Sequence, residues 1–566
     1  MASSSNVSSS LSKLLHITLI ISLLSNSSSL YVHSFSSSFD ANDLSMPGSC
    51  SGNPSSNELL ASLTSSIEQI KTVTSLVAGF INQFDDFRLT NAVNDCIDLL
   101  DFSADELSWS ASATQNPHGK DNSTGNRKSD LQSWLSAALG NQETCRDGFE
   151  GTNSFIANII GTNLIQVSSL VRNVLGMVCN GVPSAGSSSF PTRTTKPGTL
   201  PEATKPPSKL PPPGTHPNRK LMRVDDGTIK FPSWMKRADR RLLQVSPSGM
   251  TPNAVVAADG SGTHATISDA VLAAPDESAS RYVIYVKKGI YKENVEIKKK
   301  KWHIMIYGDG MNSTIITGNR NFIDGWTTFR SATFAVAGRG FIARDITFEN
   351  TAGPEKHQAV ALRSDSDLSA FYRCGMLGYQ DTLYAHSLRQ FYRECKITGT
   401  VDFIFGNGAA IFQNCQILAR KGLPNQKNTV TAHGRKDPNQ NTGFSIQFSN
   451  ISADSDLLGS VNTTQTYLGR PWKQFSRTVF MKSYMSSAIR PEGWLAWDGD
   501  FALDTLYYGE YMNYGPGAGL NNRVKWPGYH PLYNSTQASF FTVGNFLDGN
   551  LWLPSTGVSF TAGLGE

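Results

Sequence analysis

The chain has 566 residues, about 61.6 kDa, which is room for three or four domain-sized units. Its hydrophobic content of 39% and charged content of 17% exclude a disordered chain, and a net charge of +4 excludes the strongly basic footprint of a nucleic-acid binder. The charge excess lies wholly after residue 244, where 30 basic residues face 26 acidic ones; the 244 residues before it carry 20 of each sign.

In chain order, the first feature is an apolar run, Leu14–Leu24, preceded by Lys13 and followed by the small residues Ser25–Ser29. Eleven residues are too few to cross a bilayer, so residues 1–29 are predicted to be a secretory signal peptide. Sequons at Asn122, Asn312, Asn450, Asn462 and Asn534 suit a secreted glycoprotein. Residues 45–182 are predicted to form an all-α up-and-down bundle. Val93, Cys96, Leu99, Leu100 and Leu107 repeat at helical spacing, as do Leu131, Trp134, Leu135 and Ala138. Cys96 and Cys145 are positioned to clip two of these helices. Residues 183–243 form a Pro-rich linker that cannot build a core. It holds two basic pairs, Arg219-Lys220 and Arg240-Arg241, which read as protease processing sites.

Beyond residue 253 the pattern changes to short strands divided by Gly, Asn and Asp turns. Phe371-Tyr-Arg-Cys374, Phe391-Tyr-Arg-Glu-Cys395 and Ile411-Phe-Gln-Asn-Cys415 start 20 residues apart. Gly378 and Gly399 each follow their cysteine by four positions; Asp381 and Asp402 follow by seven. A period near twenty with strands and no helix predicts a β-solenoid over residues 244–566. Equivalent positions then stack at about 4.8 Å. Cys395 and Cys415, one coil apart, fall inside the Cα window of a disulfide and are predicted to pair, leaving Cys374 free.

The same stacking sets Asp381 and Asp402 about 5 Å apart. Two carboxylates at that distance repel by roughly 3 kcal/mol at an effective dielectric of 20, about two pKa units of splitting. One member then rests ionised and the other protonated, a pair able to attack with one group and donate a proton with the other. Gln380 can aim an amide N–H at a developing oxyanion. Arg470 can orient a carboxylate, and Trp472 can stack on a sugar ring. The chain has no Gly-x-Ser-x-Gly elbow, phosphate loop or His-Glu-x-x-His motif. No metal or cofactor is expected.

Five segments carry a resemblance. Gly289-Ile-Tyr-Lys-Glu293, Thr351-Ala-Gly-Pro354 with Gln358-Ala-Val-Ala-Leu-Arg363, and Gly378-Tyr-Gln-Asp-Thr-Leu-Tyr384 come first. Gly399-Thr-Val-Asp-Phe-Ile-Phe-Gly406 and Leu468-Gly-Arg-Pro-Trp472 follow. Together they resemble plant pectin methylesterases made with an inhibitor-like pro region. Asn94-Asp-Cys-Ile-Asp-Leu-Leu100 and Thr144-Cys-Arg-Asp-Gly148 resemble the invertase/pectin methylesterase inhibitor domain.

The resemblance implies a right-handed parallel β-helix that hydrolyses the methyl esters of homogalacturonan in the plant cell wall, giving pectate and methanol without a cofactor. It assigns Asp402 as nucleophile, Asp381 as general acid/base and Gln380 to the oxyanion. It adds Thr328, Gln358, Arg470 and Trp472 as substrate contacts. It also implies removal of an autoinhibitory or folding-assisting pro region, with the Arg240–Leu243 site favoured and a mature start near Gln244, and contact with a separate pectinesterase inhibitor protein. Cys50 lacks the close partner usual in the inhibitor family, which suggests a Cys50–Cys179 bridge. A monomer without nucleic acid is expected. The competing readings are a pectin-backbone glycosidase, since paired carboxylates near 5 Å also suit retaining enzymes, and a non-catalytic inhibitor or wall-binding protein.

Overall fold

The computed structural model describes residues 55–81, 83–116, 124–152, 155–181, 224–225, 228–229 and 251–565. The expected signal peptide, Cys50, Asn122 and the basic pairs Arg219-Lys220 and Arg240-Arg241 lie outside the described residues. Among the described residues no helix is long and apolar enough to cross a membrane.

Residues 251–565 wind into a parallel β-helix of three sheets with eleven, eight and seven strands. The seven-stranded sheet carries the chemistry. Its strands are β1 (Val295–Ile297), β2 (Phe334–Val336), β3 (Leu362–Ser364), β4 (Leu383–Ala385), β5 (Ile404–Gly406), β6 (Asn428–His433) and β7 (Thr466–Gly469), adjacent in that order. Each coil contributes one strand, so chain order becomes order along the axis.

The twenty-residue repeat works by stacking like on like. Phe371, Tyr392 and Phe412 are aligned partners on successive coils. Their rings stack at 4.7 Å per step, nearly parallel, in the buried core. Gly399 belongs to the repeat for a steric reason: a Cβ there would lie 2.6 Å from the Tyr379 carbonyl. A helix over Ile267–Ala273 closes one end of the core with Ile267, Ala270 and Val271.

The predicted Cys395–Cys415 disulfide does not form. Cys374, Cys395 and Cys415 are all free, buried thiols. Their flanking strands are in register, so the three stack as expected. A parallel ladder, however, points stacked Cβ atoms in the same direction, about 4.8 Å apart, whereas a disulfide needs them to converge to about 3.8 Å.

Four helices precede the β-helix: α1 (Ser56–Ala78), α2 (Phe87–Gln115), α3 (Arg127–Asp147) and α4 (Phe155–Gly181). A Ser55/Glu58 capping box opens α1, and the side chains of Asp86 and Asn126 cap α2 and α3. The predicted apolar stripe of α2, Val93, Cys96, Leu99, Leu100 and Leu107, is its buried face. A Cys96–Cys145 disulfide with Cα atoms 4.5 Å apart ties α2 to α3. Its loop spans 49 residues, so chain entropy gives about 4 kcal/mol of bundle stability. Cys96→Ser with Cys145→Ser is expected to lower the denaturant midpoint of the helical transition and leave that of the β-helix in place, as read by far-UV dichroism. Cys179 is a free thiol, hydrogen-bonded to the Asn439 carbonyl.

The bundle packs directly against the β-helix. Residues 55–181 and 251–565 form one compact unit, and Val224–Asp225 pairs antiparallel with Thr228–Ile229. Helix α3 is buried on nearly every side because it faces both the bundle and the β-helix. Trp134 Nε1 donates to Asp367 (3.0 Å), and Arg389 sits buried between Asp367 (2.7 Å) and Asp130 (2.6 Å). Each of these buried charges has a partner of opposite sign, which is the condition for tolerating them away from water.

Candidate active site

Strands β4 and β5 are each entered through a turn whose last residue is an aspartate in the left-handed region, Asp381 at φ 62° and Asp402 at φ 51°. Aspartate tolerates that conformation better than most residues. Leu383 is aligned with Ile404, so the two turns are equivalent positions of adjacent coils. The carboxyls are therefore stacked neighbours, both buried at the floor of one cleft.

Their environments differ. Asp402 accepts from Arg470 Nε (2.8 Å) and Nη2 (2.7 Å) and from the Thr429 hydroxyl (2.6 Å). Three donors aimed at two oxygens suit the ionised form. Arg470 follows β7, two coils along, and its guanidinium lies 4.2 Å over the Trp497 ring. Asp381 has no such clamp. Burial pushes its carboxyl well above the usual 3.8, and the neighbouring Asp402 and Glu150 add to that against the pull of Arg470. The two carboxyls are thus unequal: Asp402 is clamped by three donors, while burial favours the proton-bearing form of Asp381. Spacing alone predicted a stacked pair and was silent on this asymmetry.

The cleft is a cavity of about 210 Å³. Gln380, Thr328, Gln358, Arg470 and Trp472 all line it beside the two aspartates, so every residue expected at the site converges there. Trp472 is half-buried and packs edge-on against Phe405. Phe322, Phe329 and Trp497 also line the cleft and were not singled out in the sequence. No short motif marks them: Phe322 and Phe329 lie in the loop between Thr314–Gly318 and β2, and Trp497 lies beyond β7. Tyr384 and Phe405 sit inside quoted motifs, and their stacked rings (4.1 Å) form part of the wall.

The remaining wall comes from the bundle: Thr144, Asp147, Gly148 and Glu150 line the same cleft. Beside it, Asp95 lies 2.5 Å from Arg330 Nε and accepts from the Thr327 hydroxyl. Burial pushes the Asp95 carboxyl up from 3.8 to about 6, against Arg330 and Thr327. An acid with a raised pKa in the packed state gives full stabilisation below about pH 4, lost as pH rises through 6. The difference is on the order of 3 kcal/mol. Burial also pushes Glu106 well up, with the same sign. Protection of the bundle amides in the full chain, taken as intrinsic over observed exchange rate at each pH, is expected to be higher at pH 4.5 than at pH 7, with Asp95→Asn flattening the dependence.

Of the sequons, Asn312, Asn450, Asn462 and Asn534 are exposed. Among the described residues no group of three or more His, Cys, Asp or Glu is placed to hold a metal ion.

Comparison with known proteins agrees with this geometry. The family profile described as Pectinesterase matches residues 253–550, and that described as plant invertase/pectin methylesterase inhibitor matches residues 37–177. A pectinesterase/pectinesterase inhibitor of Prunus persica is 61% identical over 512 residues, 90% of each chain. A probable pectinesterase/pectinesterase inhibitor of Arabidopsis thaliana is 62% identical over 498 residues, 88% of this chain and 89% of that one. The solved pectin methylesterase from carrot is 59% identical, with a TM-score of 0.56, and covers 56% of this chain and 100% of its own.

Proposed function

The chain belongs to the pectinesterase family and hydrolyses methyl esters of pectin, and we propose that Asp402 is its nucleophile and Asp381 its proton shuttle. The observation that carries this is the unequal clamping of two stacked carboxyls: Arg470 and Thr429 hold Asp402, while burial keeps a proton on Asp381.

An oxygen of Asp402 attacks the carboxymethyl carbonyl of a galacturonate ester. The carbonyl oxygen gains charge near Gln380, whose amide N–H stabilises it. As the tetrahedral species collapses, Asp381 gives its proton to the departing methoxide and methanol leaves. An acyl anhydride on Asp402 remains. Asp381, now a carboxylate, takes a proton from water as that water attacks the acyl carbon. Collapse frees the galacturonate carboxylate and restores Asp402. Thr328, Gln358 and Trp472 contact the sugar, with Trp472 offering a ring face or edge to the pyranose.

The inhibitor-like bundle holds the full-length chain inactive, since its side chains share the cleft with both aspartates. Activation follows cleavage at Arg219-Lys220 or Arg240-Arg241 by a processing protease during secretion to the plant cell wall, where glycans on the exposed sequons are compatible with the fold. The freed face also suits a separate inhibitor protein of the same bundle type.

The test is a paired assay of purified 251–566 on highly methylated pectin. Methanol release at constant chain length supports the reading. New reducing ends without methanol would replace it with cleavage of the backbone.

A further inference from the structure

Arg172 of the bundle pairs with Asp437 of the β-helix (2.8 Å), but most ion pairs across this contact run the other way, from bundle carboxylates to β-helix cations. From α2, Asp98 contacts Arg330 (2.5 Å), while Asp101 and Asp105 both contact Lys299 (2.7 Å each). From α3, Asp147 contacts Lys473 (2.7 Å) and Glu143 contacts Lys436. Asp98, Asp101 and Asp105 recur every three or four residues, so they form one ridge along α2, about 10 Å long.

Sheet order fixes where these cations stand. Lys299 follows β1 and Arg330 precedes β2; Asp381 and Asp402 precede β4 and β5; Lys436 follows β6 and Lys473 follows β7. At about 4.8 Å per coil, β1 to β7 spans roughly 29 Å, with two cations toward each end and the reacting pair between them. The ion-pair partners of all four among the described residues belong to the bundle.

We infer that Lys299, Arg330, Lys436 and Lys473 form a binding track for the de-esterified polymer, a linear polyanion of galacturonate. The bundle's carboxylates occupy the places that galacturonate carboxylates take once the bundle is gone. The inference deepens the proposed function and rests on it: each turnover converts a neutral ester into a carboxylate, so the product is an anionic run. Cations on both sides of the reacting pair hold that run along the axis while the next ester enters. The pro region then excludes substrate by charge likeness as well as by bulk.

The test is titration of a fully de-esterified oligogalacturonate into the purified 251–566 chain. That part stands alone as a fold, because the solved carrot enzyme consists wholly of its counterpart. Binding is expected at low salt and is lost at high salt. Lys299→Glu with Lys473→Glu is expected to weaken it about tenfold, Lys299→Arg with Lys473→Arg to preserve it, and the full chain to bind at least about tenfold more weakly than the fragment. Thermal melting of each variant checks folding. No binding by the unmodified fragment, equal binding by the Glu variant, or equal binding by the full chain overturns the track. Absence of methanol release from methylated pectin overturns the esterase reading instead, so the two failures are separable.

Discussion

Asp402→Asn is expected to remove methanol release while leaving the β-helix folded. The substitution keeps shape and keeps an oxygen that accepts from Arg470 or Thr429, so the local hydrogen bonds largely survive. What it removes is the charge and the nucleophilic oxygen. Loss of a nucleophile in a covalent mechanism typically lowers kcat by about 10⁴- to 10⁶-fold, the residue of activity coming from substrate binding and oxyanion stabilisation. A melting curve close to wild type with no detectable methanol supports the role. Full activity in a folded variant would remove Asp402 from the mechanism. The contrast with a purely structural aspartate is sharp. A turn-capping residue would shift the melt and leave the rate of the folded fraction unchanged.

Separating the helical region from the β-helix is the second large effect. In the full chain the bundle is tethered, so its effective concentration is about 1 mM even for a flexible connection. If its intrinsic affinity for the cleft were only 10 μM, about 1% of molecules would be open at any time. Methanol release by 251–566 is therefore expected to exceed that of the full chain by at least about 100-fold at equal concentration. Adding purified 55–181 back is expected to restore inhibition, now dependent on dilution. Equal rates for the two forms would show that the bundle's place in the cleft has no functional weight. The interface supplies the grounds for tight packing: the buried Arg389 pairs, the Trp134 bond and four further cations engaged by α2 and α3.

The solenoid was legible because its physics is repetitive. A coil length near twenty places Phe371 over Tyr392 and Asp381 over Asp402, and both juxtapositions can be counted off a linear chain. Arg470 was legible as a carboxylate holder because its chemistry is narrow, though the indole it covers, Trp497, lies in a segment with no motif. The Cys395–Cys415 expectation failed on direction rather than distance, since spacing fixes Cα separation and is silent on whether Cβ vectors converge. The docking of the bundle was hidden for a different reason. Its contacts are polar and scattered, from Asp95 to Asp147, and each reads in isolation as a solvated helix face. Helix α3 carries one clue, Ser129, Ser133, Ser136, Asn141 and Gln142 on sides that a two-faced helix would expose; all five are buried in the fold.

The short helix over Ile267–Ala273 has a consequence for colloidal behaviour. A solenoid of parallel strands is a template at both ends, and an uncovered terminal coil presents unpaired amides and carbonyls to the end of another molecule. By seating Ile267, Ala270 and Val271 on the first coils, that helix turns an adhesive end into a blunt one. Head-to-tail growth into fibres, the natural failure of stacked coils, is thereby opposed by about two turns of helix with one apolar face.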